Sequence, residues 1–184
     1  MVKICLQKQH GALQLTMTPI EQNQKSWDRR AEIHLDSEFY DVAGFLSGKS
    51  TLNEPERQLL GDINGKSLLH LQCHFGLDTL SLARLGAETT GVDLSSTAIQ
   101  QAQSIAKQAN LASDFVCSDV LALRDTMDRT FDRVFTSYGV LCWLPDLTLW
   151  GQVIADSLKS GGRFQMVEFH PFHDVMAGYD YFHD

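Results

Sequence analysis

From Lys66 onward the chain alternates short apolar runs with amphipathic segments, and that alternation limits the fold more than any other feature. The spacing predicts strands over 67–72, 89–93, 114–117, 131–137 and 163–169. Helices are predicted over 77–85, 95–109 and 147–158, with an irregular or helical stretch from Val120. In the second of these, Ala98, Ile99, Ala102, Ile105, Ala106 and Ala109 fall on one helical face. Gly86 supplies a left-handed stop for the first, and Gly161-Gly162 is expected to stop the last. A β-α-β-α order of this kind implies a parallel sheet with helices on both faces.

Ahead of this alternation, residues 1–18 read as a flexible lead-in without clear periodicity. Residues 19–63 read as a helical cap, with helices predicted over 20–31, 37–46 and 54–60. Pro19, and Asn53 followed by Glu54 and Pro55, are good helix starts. Residues 64–184 then form the core. A chain of 184 residues with net charge -8 suits one domain and argues against a broad surface for nucleic acid or anionic membrane. Cys5, Cys73, Cys117 and Cys142 form no C-x-x-C pair and no disulfide framework. No apolar run approaches a membrane span and no signal-peptide core opens the chain, so the expected location is the cytoplasm.

In an open parallel sheet, ligands bind beyond the carboxyl ends of the strands. The residues there are Gln72-Cys73-His74-Phe75-Gly76, Asp93, Ser118-Asp119, Ser137-Tyr138 and Glu168-Phe169-His170. A carboxylate at Asp93 can accept both hydroxyl hydrogens of a ribose. Asp119 can accept from the exocyclic amine of an adenine. Gly76 permits a tight turn and a close backbone approach, and the helix that follows offers free N–H groups to an anion.

The series LLHLQCHFG, GVDLS, FVCSDV, FDRVFTSYGVLCWLPD and LKSGGRFQMVEF resembles the successive motifs of class I S-adenosylmethionine-dependent methyltransferases. It is most similar to a bacterial branch with the patterns W-D-x-R-A, F-Y-D-V, H-L-Q-C-H-F-G and V-E-F-H-P-F. The resemblance implies a Rossmann-like, doubly wound, mostly parallel sheet in a three-layer αβα sandwich under the N-terminal cap. It implies S-adenosylmethionine as cofactor and a small-molecule methyl acceptor, with no nucleic-acid, membrane or metal partner. The cofactor residues carried over are Gln72, His74, Gly76, Asp78, Thr79, Asp93, Leu94, Asp119, Val120 and Ser137. Trp27, Tyr40 and Thr51 resemble cap positions over the methionyl end. Tyr138, Glu168 and His170 are the candidates for a general base, and Trp143 and Phe169 for the acceptor pocket.

The chain departs from the family pattern in places. His70 stands where the first strand usually carries an acid, Gln72 and His74 replace the first two loop glycines, and Ser160 replaces a proline. The last two family strands are missing from this sequence, which predicts an open sheet edge or its cover by a homo-oligomer. A non-catalytic or truncated cofactor-binding protein of the same fold is therefore the alternative. A nicotinamide-dependent oxidoreductase is less favoured, because its loop needs G-x-G-x-x-G to seat a pyrophosphate. Metal binding by His70 and His74, or by His170 and His173, lacks the shared helix face that such spacing requires. The plain reading of His70 is a core histidine bonded to a backbone group.

Overall fold

The computed structural model describes residues 17–170 together with Phe172 and Met176. Most of the lead-in over 1–18, with Cys5, and His173 lie outside the described residues. Three helices come first: α1 (Pro19–Leu35), α2 (Val42–Leu46) and α3 (Glu54–Leu60). The core follows as β1 (Ser67–Leu71), α4 (Leu77–Arg84), β2 (Glu88–Asp93), α5 (Ser96–Ala109) and β3 (Asp114–Cys117). A 3-10 turn at Val120–Asp125 leads to β4 (Phe131–Ser137), α6 (Leu147–Ser157) and β5 (Leu158–Val167).

The five described strands lie in the order β3-β2-β1-β4-β5, and every neighbouring pair is parallel. β1, β2 and β4 carry the near-continuous burial of strands covered on both faces. Leu69, Leu71, Val92 and Val134 face Trp150, Val153 and Ile154 of α6. On the opposite face, Leu80 of α4 packs with Ala98 and Ile105 of α5, and with Ala31 of α1. The order places the switch point between β1 and β4, whose carboxyl ends open the crevice where ligands bind in sheets of this kind.

Local chemistry explains the ends of the elements. Thr18 and Glu21 form a capping box at the start of α1, with Pro19 in its first turn. α1 accordingly begins at Pro19 and runs on to Leu35, beyond the predicted 20–31. The helix predicted over 37–46 shrinks to the five residues of α2, capped by Asp41 in a left-handed conformation. Gly161-Gly162 does not stop α6. That helix ends at Ser157, and the chain enters β5 directly with both glycines inside the strand. The reason is an irregular register between β4 and β5, where Phe131 pairs with Leu158 and Arg133 with Arg163. Gly161 there has φ +77, and a Cβ on Gly162 would meet the Phe131 carbonyl oxygen at 3.0 Å.

Candidate functional site

The carboxyl ends of β1, β2 and β4, with α1 and the segment after α2 above them, enclose a cavity of about 900 Å³. Its floor is the loop from β1 to α4. Gln72 and His74 both adopt φ +51 and Gly76 φ +76, so the loop has the left-handed backbone of a glycine-rich turn, with only one glycine. A side chain in that conformation costs about 1–2 kcal/mol. Tertiary contacts hold it. The Cys73 N–H donates to the Val92 carbonyl at 2.9 Å, and the His74 N–H to Asp93 Oδ2 at 2.7 Å.

The His74 ring is locked by the cap. His34 Nδ1 lies 3.0 Å from His74 Nε2, and the rings of Trp27 and Tyr40 pack against it edge to face. Burial, then the His34 charge, lowers the His74 pKa to about 3, so the ring is neutral at physiological pH. His70 is 2% exposed and bonds the Thr79 hydroxyl at 2.8 Å, not a backbone group as expected. Burial lowers its pKa to about 3 as well. Thr79 is fully buried and is absent from the cavity wall, so its hydroxyl serves His70 and not a ligand. Gly76 reaches the wall, but the first reason for glycine there is internal. A Cβ would meet Phe115 at 2.6 Å and Ala102 at 3.1 Å.

Three buried nitrogens around this floor have no hydrogen-bond partner: His70 Nε2, Gln72 Nε2 and His74 Nδ1. All three residues line the cavity. A buried polar atom left unpaired costs on the order of 1–3 kcal/mol, so such atoms mark places where a polar ligand is favoured.

Asp93 sits at the tip of β2. Its Oδ1 accepts the Ser95 N–H at 2.8 Å and its Oδ2 the His74 N–H, which leaves lone pairs on both oxygens. Burial pushes this carboxyl up, against the pull of those N–H groups. Leu94 and Val120 line the wall beside it. Asp119 also borders the cavity, and one of its oxygens caps the Leu121 N–H at 3.0 Å. Asp78 accepts from Thr51 Oγ1 at 2.5 Å and from Ser137 Oγ at 3.4 Å, and all three line the cavity.

The wall continues past Tyr138 to Trp143 and Phe169, with Trp27 5.2 Å from Trp143. Tyr138 has φ +45, and burial, then Glu56, pushes its hydroxyl up to about 12. It is a proton donor in this setting and a poor base. Glu168 is absent from the cavity wall. It accepts from the N–H groups of Gly139, Val140, Leu141 and Phe169 and so clasps the loop after β4. Burial opposes ionisation there, yet those N–H groups prevail and hold the carboxyl below its ordinary value. His170 also lies off the wall, with Nδ1 accepting the Phe172 N–H at 3.1 Å. The geometry therefore gives Glu168 and His170 loop-holding contacts in place of a base.

Sequence reasoning missed the contribution of α1. Asp28 Oδ1 accepts the Ser95 hydroxyl at 2.6 Å and the Thr97 N–H at 3.0 Å, and Gln24 donates to the Leu94 carbonyl. The W-D pair at Trp27-Asp28 was the available signal. Its partners lie 67 residues or more away along the chain, beyond the reach of local pattern.

A Rossmann-like sandwich with a carboxylate at the tip of β2 and a polar turn after β1 defines a nucleoside-cofactor protein. The Methyltransferase domain family matches residues 68–162, and the chain belongs to that family. Its fold is that of the class I S-adenosylmethionine-dependent methyltransferases, and S-adenosylmethionine is the cofactor of the family.

Among characterised proteins, the ubiquinone biosynthesis O-methyltransferase of Coxiella burnetii (strain Dugway 5J108-111) is 29% identical over 150 residues, which cover 80% of this chain and 63% of that protein. The chain thus spans less than two thirds of the length of that relative. A solved DhpI-SAH complex superposes with a TM-score of 0.62 at 23% identity, covering 84% of this chain and 71% of the other. A S-adenosylmethionine-dependent methyltransferase from Clostridium acetobutylicum ATCC 824 gives 0.55 at 21%, covering 85% and 61%. These two likenesses concern the fold. Among the described residues no helix is long and apolar enough to cross a membrane. No group of three or more His, Cys, Asp or Glu among them could hold a metal ion.

Proposed function

We propose that the protein binds S-adenosylmethionine in this cavity and passes its methyl group to a small-molecule acceptor. One observation carries the reading. A single cavity of about 900 Å³ runs from Asp93 and Asp119, past the β1–α4 loop, to an aromatic wall at Tyr138, Trp143 and Phe169. That is near the upper end of the roughly 300–1,000 Å³ of small-molecule sites, which leaves space for an acceptor beside the cofactor.

Asp93 takes the ribose hydroxyls and Leu94 borders the adenine. Asp119 accepts from the exocyclic amine, with Val120 beside it. Gln72, through its unpaired amide, takes the methionyl end together with Asp78, Thr51 and Ser137. Trp27, Tyr40 and His74 close the cap over the same end. The cofactor supplies an electrophilic methyl carbon on a sulfonium. The protein's part is then to align the acceptor in line with that carbon and to exclude water. The aromatic wall suits a planar, largely apolar acceptor. The name of the Coxiella relative favours oxygen as the atom methylated. Tyr138 would donate a hydrogen bond to such an acceptor. Work in the cytoplasm, and association of copies over the β5 edge, belong to the same reading.

Calorimetry with S-adenosylhomocysteine tests the cofactor part, with saturable one-site binding expected. Transfer of labelled methyl from S-adenosylmethionine to a panel of phenols, carboxylates and amines tests the rest. Cofactor binding without turnover on any acceptor would favour the non-catalytic alternative. No binding at all would end the reading.

A further inference from the structure

Neither β1 nor the turn after it brings a carboxylate to the cavity. The first strand offers His70, a cavity-lining imidazole 2% exposed and tied to Thr79, whose Nε2 is buried without a partner. It is neutral, because burial drives its pKa down to about 3. A neutral ring can offer or accept one hydrogen bond but cannot balance a cation.

A carboxylate stands instead in the helix that follows that strand. Asp78, in the first turn of α4, lines the same cavity. Its two oxygens accept only hydroxyl hydrogens, from Thr51 at 2.5 Å and from Ser137 at 3.4 Å. The ion pairs found among the described residues are Lys49–Asp41, Arg129–Asp114 and Lys159–Asp132, and none involves Asp78. Burial pushes the Asp78 carboxyl up, and Glu56, fully buried, pushes it further, against the two hydroxyl bonds. A wall built this way favours a cation that arrives with the ligand, since no cation among the described residues pairs with Asp78 and the Lys49 of the same wall is engaged by Asp41.

We propose that Asp78 receives the α-ammonium of the cofactor's methionine part, with the unpaired Gln72 amide and His70 Nε2 bordering the same end of the cavity. Resting on the S-adenosylmethionine reading above, this assigns to α4 a charge that β1 does not carry. Asp78 is thereby the residue that selects an adenosyl amino acid over a simple thioadenosine. Thr51 and Ser137 position its carboxylate.

The test is a pair of ligands against a pair of proteins. S-adenosylhomocysteine and its analogue with hydrogen in place of the α-amino group are titrated by calorimetry into the wild type and Asp78→Asn. The wild type is expected to prefer S-adenosylhomocysteine by about 10- to 100-fold, the range of a charge-assisted contact. In Asp78→Asn most of that preference should vanish, while affinity for the deaminated analogue changes less than about threefold. An undiminished preference in Asp78→Asn overturns the proposal and leaves the cofactor reading intact. If the variant fails to fold, the wild type still decides, because equal affinity for the two ligands overturns the proposal alone. Failure of the wild type to bind either ligand overturns the cofactor reading and this inference with it.

Discussion

β1 and β2 are hydrogen-bonded neighbours, and both end at the cavity, but their ends are held by different means. At β2, the Asp93 carboxylate gathers the N–H groups of Ser95 and His74. At β1, two side-chain-bearing residues take a left-handed backbone, and three nitrogens close by lack partners. The first end is held by polar contacts alone, with Asp28 and Gln24 of α1 reaching Ser95 and Leu94. The second is held from outside, by Asp93 below and by the rings of Trp27, His34 and Tyr40 above. A turn that glycine would adopt freely is here imposed by its neighbours. The cap of α1 thus contributes to the β1–α4 loop's conformation as well as covering it.

Acid should separate the two ends most sharply. His70 and His74 have folded pKa values of about 3, below their ordinary 6.5. The unfolded chain therefore binds more protons than the folded one across that window, and stability falls as pH drops from 6.5 toward 3. Each imidazole should contribute a loss of about 3 kcal/mol by pH 4 and about 5 kcal/mol by pH 3. Asp93 has the opposite sign. Its folded value is raised above 3.8, so just above that pH the folded state binds more protons and acid favours it. Urea melts between pH 7 and 4 measure the sum. A flat stability over that range would show that the buried imidazoles are not held neutral.

Asp93→Ala breaks the β2 end and should cost roughly 1.5–3 kcal/mol of S-adenosylhomocysteine affinity. It also frees the His74 N–H, so the β1 loop should loosen with it. Calorimetry paired with a thermal melt separates the two effects. Equal affinity in variant and wild type would remove Asp93 from the ribose site.

Gln72→Gly sharpens the comparison in the other direction. The backbone at φ +51 is relieved, and stability should rise by about 1 kcal/mol. The lost side chain ends a 3.3 Å bond from Thr136, whose hydroxyl keeps the Leu71 carbonyl. Cofactor affinity should fall severalfold through loss of the amide. A variant neither stabler nor weaker in binding would mean that the loop carries no strain and the amide no ligand.

The β2 end was also the more legible of the two in the sequence. Asp93 and Asp119 follow apolar strands, and a period of two locates strand tips from local pattern alone. The β1 end depends on partners far along the chain. His34 meets His74 across 40 residues, and Trp27 and Tyr40 pack on the same ring. No window of local periodicity contains such pairs. The capping box of Thr18 and Glu21 was written locally and passed over, although Pro19 marked the start of α1. Glu168 stands at a strand tip like Asp93, yet it turns to the N–H groups of its own neighbouring loop. Position at a tip says where a carboxylate is, and only the loop geometry says which way it is used. Gly161-Gly162 misled for a related reason, since glycine ends helices and loosens strands with equal ease.

The smallest expected effect is at Asp28, and it tests whether α1 holds the β1 loop at all. Asp28 joins α1 to the N-terminus of α5 through Ser95 and Thr97. Ser95 also caps α5 by itself, accepting the Ala98 N–H at 3.0 Å. Asp28→Ala therefore leaves a working local cap and should cost only about 0.5–1 kcal/mol. Its effect on the two strand ends should be unequal. The Ser95 N–H keeps its bond to Asp93, whereas α1 loses an anchor and its rings press less firmly on His74. Hydrogen exchange should then quicken at the amides of the β1–α4 loop more than at Ser95. Unchanged exchange in that loop would show that its bonds to Val92 and Asp93 impose its backbone without α1, and the cap would be left with the role of covering the cavity.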